Sequence, residues 1–210
     1  MTTAAAGRGR FITFEGGEGT GKSTQCGRLS DWLQEQGKAV LTTREPGGTP
    51  AAEAIRCLLL DANADRLDVM SEALLHFAAR REHAHTVIAP ALSAGTWVLC
   101  DRFTDSTMAY QGLAMGLGRP VIESLHRLAI GALVPDLTLV LDLPVMESLP
   151  RALRQGGDDR YESRDVAFHE ALRQAYLDIA AREPERCIVI HADGDEETVA
   201  TAIQKYMHDA

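Results

Sequence analysis

The chain has 210 residues, 45% of them hydrophobic and 24% charged, which is the composition of a globule with one α/β domain and leaves no room for a second large one. Thirty acidic against 21 basic residues give a net charge of −9; this argues against a broad basic surface for nucleic acid, so an anionic ligand needs positive charge gathered in a cleft. No run approaches a membrane span, and the opening MTTAAAGRGR lacks a secretory apolar core, so residues 1–10 are expected to be a flexible leader to a single cytoplasmic domain over 11–210.

The first strand signal, FITFE from Phe11, runs directly into GGEGTGKST. Gly16, four residues, then Gly21, Lys22 and Ser23 between a strand and a helix form the phosphate-binding loop pattern. Glycines let backbone N–H groups turn toward phosphates, the next helix presents its positive end, and Lys22 adds a mobile charge. Residues Gly16, Gly17, Glu18, Gly19, Thr20, Gly21, Lys22, Ser23 and Thr24 are therefore expected to hold a nucleoside triphosphate, foremost ATP, with Ser23 available to Mg²⁺.

Four more apolar, β-branched runs follow: AVLTT from Ala39, WVLCD from Trp97, LTLVLDL from Leu137 and CIVIHA from Cys187. Helical patterns separate them at roughly 22–36, 51–60, 71–94, 120–133, 145–154, 164–182 and 196–207. The alternation predicts an α/β fold: a doubly wound, five-stranded parallel sheet with helices on both faces and ligands at the carboxyl ends of the strands. RALRQGGDDRYESRD, from Arg151 to Asp165, is charged and carries a glycine pair, and reads as a lid over roughly 150–165.

Cys26, Cys57, Cys100 and Cys187 form no CxxC and are expected to be free packing thiols. Cys26, early in the helix after the loop, is weighed as a thiolate and read as inert. His83 and His85, two positions apart on a helix, point to different faces, so no metal cage is indicated.

The phosphate loop alone does not separate kinases from hydrolases. A guanine-reading NKxD is missing, and no strand ends in the Asp-Glu pair of many ATPases. Instead LCDRF places Asp101 and Arg102 at a strand's carboxyl end beside the loop. The carboxylate there can hold Mg²⁺ or its water, and the guanidinium can grip an acceptor phosphate.

FITFEGGEGTGKST, TTREPGGTP, FAARREH, CDRFTDSTMAYQG and PDLTLVLDLP, in this order over most of the chain, resemble the bacterial thymidylate kinase family. The resemblance implies the nucleoside-monophosphate-kinase fold, transfer of a phosphoryl group from Mg-ATP to dTMP, and a homodimer. It implies that Lys22, Asp101 and Arg102 are catalytic, with Arg102 on the dTMP phosphate and Asp101 supporting Mg²⁺. Arg44, Glu45 and Arg56 would stand at the acceptor end, Ser106, Thr107 and Gln111 in the base pocket, Tyr110 against the deoxyribose, and Arg80 on the thymine edge. The family places a stacking aromatic four residues before that arginine. Here the position holds His76 with Phe77 beside it, turned away by about 100°, so either could stack. The phosphate loop has no arginine, which assigns the transferring group to lid arginines, Arg154 first, with Arg151 as the other choice and Arg160 in the same stretch. The alternatives are another nucleoside-monophosphate or deoxynucleoside kinase and, from a different class, a P-loop ATPase or switch.

Overall fold

The computed structural model describes residues 8–61, 67–154, 161 and 164–208. Five strands, β1 (Phe11–Glu15), β2 (Val40–Arg44), β3 (Trp97–Asp101), β4 (Leu137–Asp142) and β5 (Cys187–His191), form one sheet in the order β2-β3-β1-β4-β5. Every pairing is parallel. Each strand therefore returns through a helical crossover, and all five carboxyl ends lie on one side.

Alternation along the strands sorts two cores. Ile12 and Phe14 face a core with Leu137, Leu139 and Leu141, closed by α1 (Lys22–Glu35) and α9 (Glu196–His208). Phe11 and Val140 face the other core, which is built from Phe77, Phe103, Ile122 and Tyr176 on α3 (Val69–His83), the 103–114 segment, α6 (Arg119–Ala129) and α8 (Val166–Arg182). By the same two-residue period Thr13 and Glu15 turn toward the second core although both are polar and fully buried. Thr13 bonds its cross-strand neighbour Thr138 at 2.8 Å.

The helix expected over 71–94 is α3 followed by a π-helical turn, Ala84–Ile88, and α4 (Ala89–Ser93). One helical stretch was not foreseen: α5 (Thr104–Thr107) runs into a π-helical segment, Met108–Ala114, where β-branched residues and Gly112 weaken the periodic signal. The remaining helices are α2 (Pro50–Leu60) and α7 (Val145–Arg154). Residues 8–10 lead into β1, with Arg8 paired to Asp136 at 2.9 Å. Among the described residues no helix is long and apolar enough to cross a membrane.

Cys26, Cys100 and Cys187 are free and buried, as packing thiols should be, whereas Cys57 is exposed. Burial, with Asp101 nearby, pushes the Cys26 thiol up to about 12, so it carries no thiolate. His83 is buried and His85 exposed, on different faces as their spacing requires.

Candidate active site

β1 ends where the glycine-rich loop begins, and α1 starts at Lys22. Gly19 shows why the loop tolerates no side chain there: its φ is +70°, and a Cβ would stand 2.1 Å from the carbonyl oxygen of Ser148 on α7. Glu18, Gly19, Gly21, Lys22, Ser23 and Thr24 line a cavity of about 540 Å³. Gly16, Gly17 and Thr20 lie behind the loop toward β4 and α8. Lys22 Nζ donates to Gly17 O at 2.6 Å; burial and the nearby Arg102 lower its pKa from the ordinary lysine value. Ser23 Oγ donates to Asp101 Oδ2 at 2.6 Å, so the head of α1 and the end of β3 place two hard oxygen donors together at the cavity wall, the donor type that suits Mg²⁺.

Arg102 follows on from β3 with a φ of +70°, and its guanidinium has many partners. Nη2 donates to Glu18 Oε1 at 2.7 Å and to the Tyr110 hydroxyl at 3.3 Å. Nη1 donates to Gly16 O, Ser106 Oγ and the Tyr176 hydroxyl. Burial works to lift the Glu18 carboxyl, but Arg102 and Lys22 outweigh it and hold that group at about 2. Glu18 also accepts from the Tyr110 hydroxyl.

On the acceptor side, Arg80 is 2% exposed and its donors are heavily committed. Nε reaches Glu45 Oε2 at 2.6 Å, Nη1 reaches Thr107 Oγ1 at 3.0 Å, and Nη2 reaches Phe103 O at 2.9 Å. Glu45 also bonds His83 Nδ1 at 2.9 Å. Glu45, His83 and Cys100 bring ligand atoms within 4.8 Å of one another, but Arg80 already supplies the cation that this carboxylate needs. Gln111 Nε2 donates to Glu72 Oε2 and to the Tyr161 hydroxyl, both at 3.2 Å.

Of the two stacking candidates, His76 lines the cavity, with Nε2 3.5 Å from the Tyr161 hydroxyl. Phe77 does not: it is 2% exposed in the second core, where its ring lies 5.0 Å from the Arg80 guanidinium carbon. Arg44, Glu45, Arg56, Ser106, Thr107, Tyr110 and Gln111 all reach the cavity wall. Arg44 is paired with Glu53, and Arg56 donates to Pro46 O after a cis Glu45–Pro46 bond.

The lid arginines are not brought in. Arg151 Nη1 is directed at Ala192 O, 3.4 Å away, Arg154 is exposed at the end of α7, and neither lines the cavity. Arg160 and half of the expected lid, 155–160 and 162–163, lie outside the described residues. Three residues with no assigned role also belong here: Tyr161 on the wall, Glu72 beside Gln111, and Tyr176 beneath Arg102. A lone aromatic within a charged glycine-rich stretch was the one available signal for Tyr161.

A parallel sheet with a phosphate loop at its centre and a basic acceptor pocket across the same cleft defines a P-loop nucleoside-monophosphate kinase fold. The thymidylate kinase family profile matches residues 14–203. Thymidylate kinase of Afipia carboxidovorans is 53% identical, covering 98% of this chain and 92% of its own; that of Caulobacter vibrioides is 54% identical, covering 93% and 94%. The crystal structure of thymidylate kinase from Ehrlichia chaffeensis superposes with a TM-score of 0.79 at 37% identity, covering 96% of this chain and 99% of that one. The chain belongs to the thymidylate kinase family.

Proposed function

We infer that ATP and dTMP meet end to end in the 540 Å³ cavity; as a thymidylate kinase the chain transfers the γ-phosphoryl group of ATP to dTMP, giving dTDP and ADP. The observation carrying the assignment to this site is that one cavity joins the phosphate loop to the Arg80–Thr107–Gln111 wall. Phosphoryl transfer asks for alignment and charge neutralisation rather than a general base. Lys22 neutralises the triphosphate, and Arg102 holds the acceptor phosphate. Because Glu18 and the Tyr110 hydroxyl occupy Nη2 of Arg102 and three acceptors share Nη1, the phosphate gains the guanidinium by displacing the Glu18 carboxylate.

Ser23 and Asp101 would hold Mg²⁺, one or two protein oxygens being the usual share for this ion among phosphates and waters. Bound there, the metal would supply charge neutralisation at the triphosphate. Tyr110 faces the sugar, His76 stacks on the base, and Arg80, pinned by Glu45, Thr107 and Phe103, offers the base edge its remaining N–H donors. Arg44, Glu45 and Arg56 shape the acceptor end. Arg154 or Arg151 neutralises the transferring group, which requires the end of α7 to turn inward. The enzyme works as a cytoplasmic homodimer.

Purified protein with Mg-ATP, assayed for ADP formation with dTMP, dUMP, dCMP, UMP and dGMP and without acceptor, tests the reading. Strong turnover with dTMP and weaker turnover with dUMP is expected. Equal ADP release without acceptor would make this an ATPase.

A further inference from the structure

Glu15 closes β1 directly before the phosphate loop and is 0% exposed, yet it does not line the cavity. A carboxyl removed from water needs its oxygens saturated, and here both are. Oε1 accepts the Phe103 amide at 2.8 Å. Oε2 accepts Ser106 Oγ at 2.6 Å and the Tyr176 hydroxyl at 3.3 Å. Those two hydroxyls lie 2.9 Å apart and receive Arg102 Nη1 at 3.2 and 3.0 Å. The neighbouring acid, Asp105, is held separately by both terminal nitrogens of Arg186, at 2.6 and 3.0 Å.

The backbone follows the same arrangement. Among the described residues Arg102 alone of the non-glycines has a positive φ, a conformation that L-residues rarely adopt without being held there. The two amides bracketing it are pinned by consecutive residues of β1: Arg102 N donates to Phe14 O at 2.9 Å, and Phe103 N donates to Glu15. The carboxyl thus grips Arg102 from the main-chain side and, through two hydroxyls, from the side-chain side.

We propose that Glu15 is a positioning residue for phosphoryl transfer: through the Phe103 amide and the Ser106 and Tyr176 hydroxyls it fixes Arg102 in the left-handed turn that aims its guanidinium into the acceptor end of the cavity. The proposal rests on the role given above to Arg102. The polarity of the chain makes it specific. A guanidinium only donates, so both hydroxyls accept from Arg102 and pass their hydrogens on, and the carboxylate is where they end. A glutamine at position 15 that keeps its oxygen on Phe103 N presents an NH₂ group to the hydroxyls and leaves a hydroxyl hydrogen without an acceptor. Flipped, it sets NH₂ against the Phe103 N–H.

The test is a cycle of Glu15→Gln, Arg102→Ala and the double variant, read as kcat and KM for each substrate. Glu15→Gln is expected to lower kcat/KM for dTMP by about tenfold, the cost of one mismatched buried hydrogen bond, and to leave KM for ATP within about twofold. Arg102→Ala loses about 10³-fold, and the double variant is no worse. Should Glu15→Gln fail to fold, Tyr176→Phe, which removes one hydroxyl and keeps the carboxyl, must show the same non-additivity with Arg102→Ala. Wild-type kcat/KM in Glu15→Gln, or losses that multiply in the double variant, would overturn the proposal alone. Full turnover in Arg102→Ala would remove the role of Arg102 and the proposal with it.

Discussion

At Glu15 two demands on one side chain pull in opposite directions. The carboxylate must accept hydrogen bonds to hold Arg102, but burial, reinforced by the charge of Asp105, lifts its pKa from 4.5 to about 7 against the Ser106 hydrogen bond. Folded protein therefore retains a proton that the unfolded chain releases between pH 4.5 and about 7. This group's contribution to stability is complete below 4.5 and lost as pH rises through about 7. Glutamine does not titrate, so the Tm difference between Glu15→Gln and wild type should tilt toward the variant across that window, by a few degrees, and level off above it. A difference that is flat from pH 4.5 to 8 in matched thermal melts would mean the carboxyl is ionised throughout. Arg80 teaches a related lesson. The sequence marks it as a functional arginine in an apolar helix, but its commitment to Glu45, Thr107 and Phe103 O depends on groups 23 to 35 residues away, which local patterning cannot reveal. Glu15 stands in the sequence as no more than the last residue of the strand signal FITFE, since its partners lie 88, 91 and 161 positions along the chain.

Among the elements, those with strong local signals were legible. β1 has the bounds of the apolar run FITFE, and the loop, α1 and the Asp101–Arg102 strand end follow from spacing alone. The 104–114 helix was not legible, because it is set by packing against α8 and α6 rather than by its own periodicity. α7 is the element on which the proposed catalysis by the lid arginines turns. Its backbone touches the crest of the phosphate loop, where the ideal Cβ of Gly19 would lie 2.1 Å from Ser148 O and 2.8 Å from Ala152 N, so any swing of this helix is felt at the triphosphate. Arg154 sits at its far end, exposed, and gains a catalytic role only by movement of that end. Arg154→Ala should then cut kcat by on the order of 10³-fold, as loss of an arginine finger does, while the Kd for dTMP changes little. Unchanged kcat in steady-state assays would remove Arg154 from the mechanism and leave Arg151 to be tested in the same way.

Over the whole molecule, charge and apolar surface are distributed unevenly. The chain carries a net charge of −9, but Lys22, Arg44, Arg56, Arg80 and Arg102 face the cavity against Glu18, Glu45 and Asp101, so the cleft is the basic place on an acidic body and draws in phosphates. Composition could predict that concentration, but not where the outer surface stays apolar. α2 packs on α3, and α3 on α6; this row of helices exposes Leu58 (48%), Leu74 (50%) and Leu128 (85%). Isolated surface leucines need no explanation, but exposed leucines on three successive packed helices are what the proposed homodimer would cover, a second copy of the chain meeting the same face symmetrically. Because α3 also carries His76 and Arg80, such a dimer would brace the acceptor wall from behind. Sedimentation equilibrium should give twice the 22.8 kDa of one chain for the wild type. Leu74→Glu with Leu128→Glu should shift it toward one chain, because each buried leucine removed from the interface forfeits about 2 kcal/mol and the new carboxylates face each other. The monomeric variant should keep its KM for ATP, whose loop lies on the sheet, and lose affinity for dTMP, whose wall includes α3. A wild type that sediments as a single chain at micromolar concentration would overturn the homodimer.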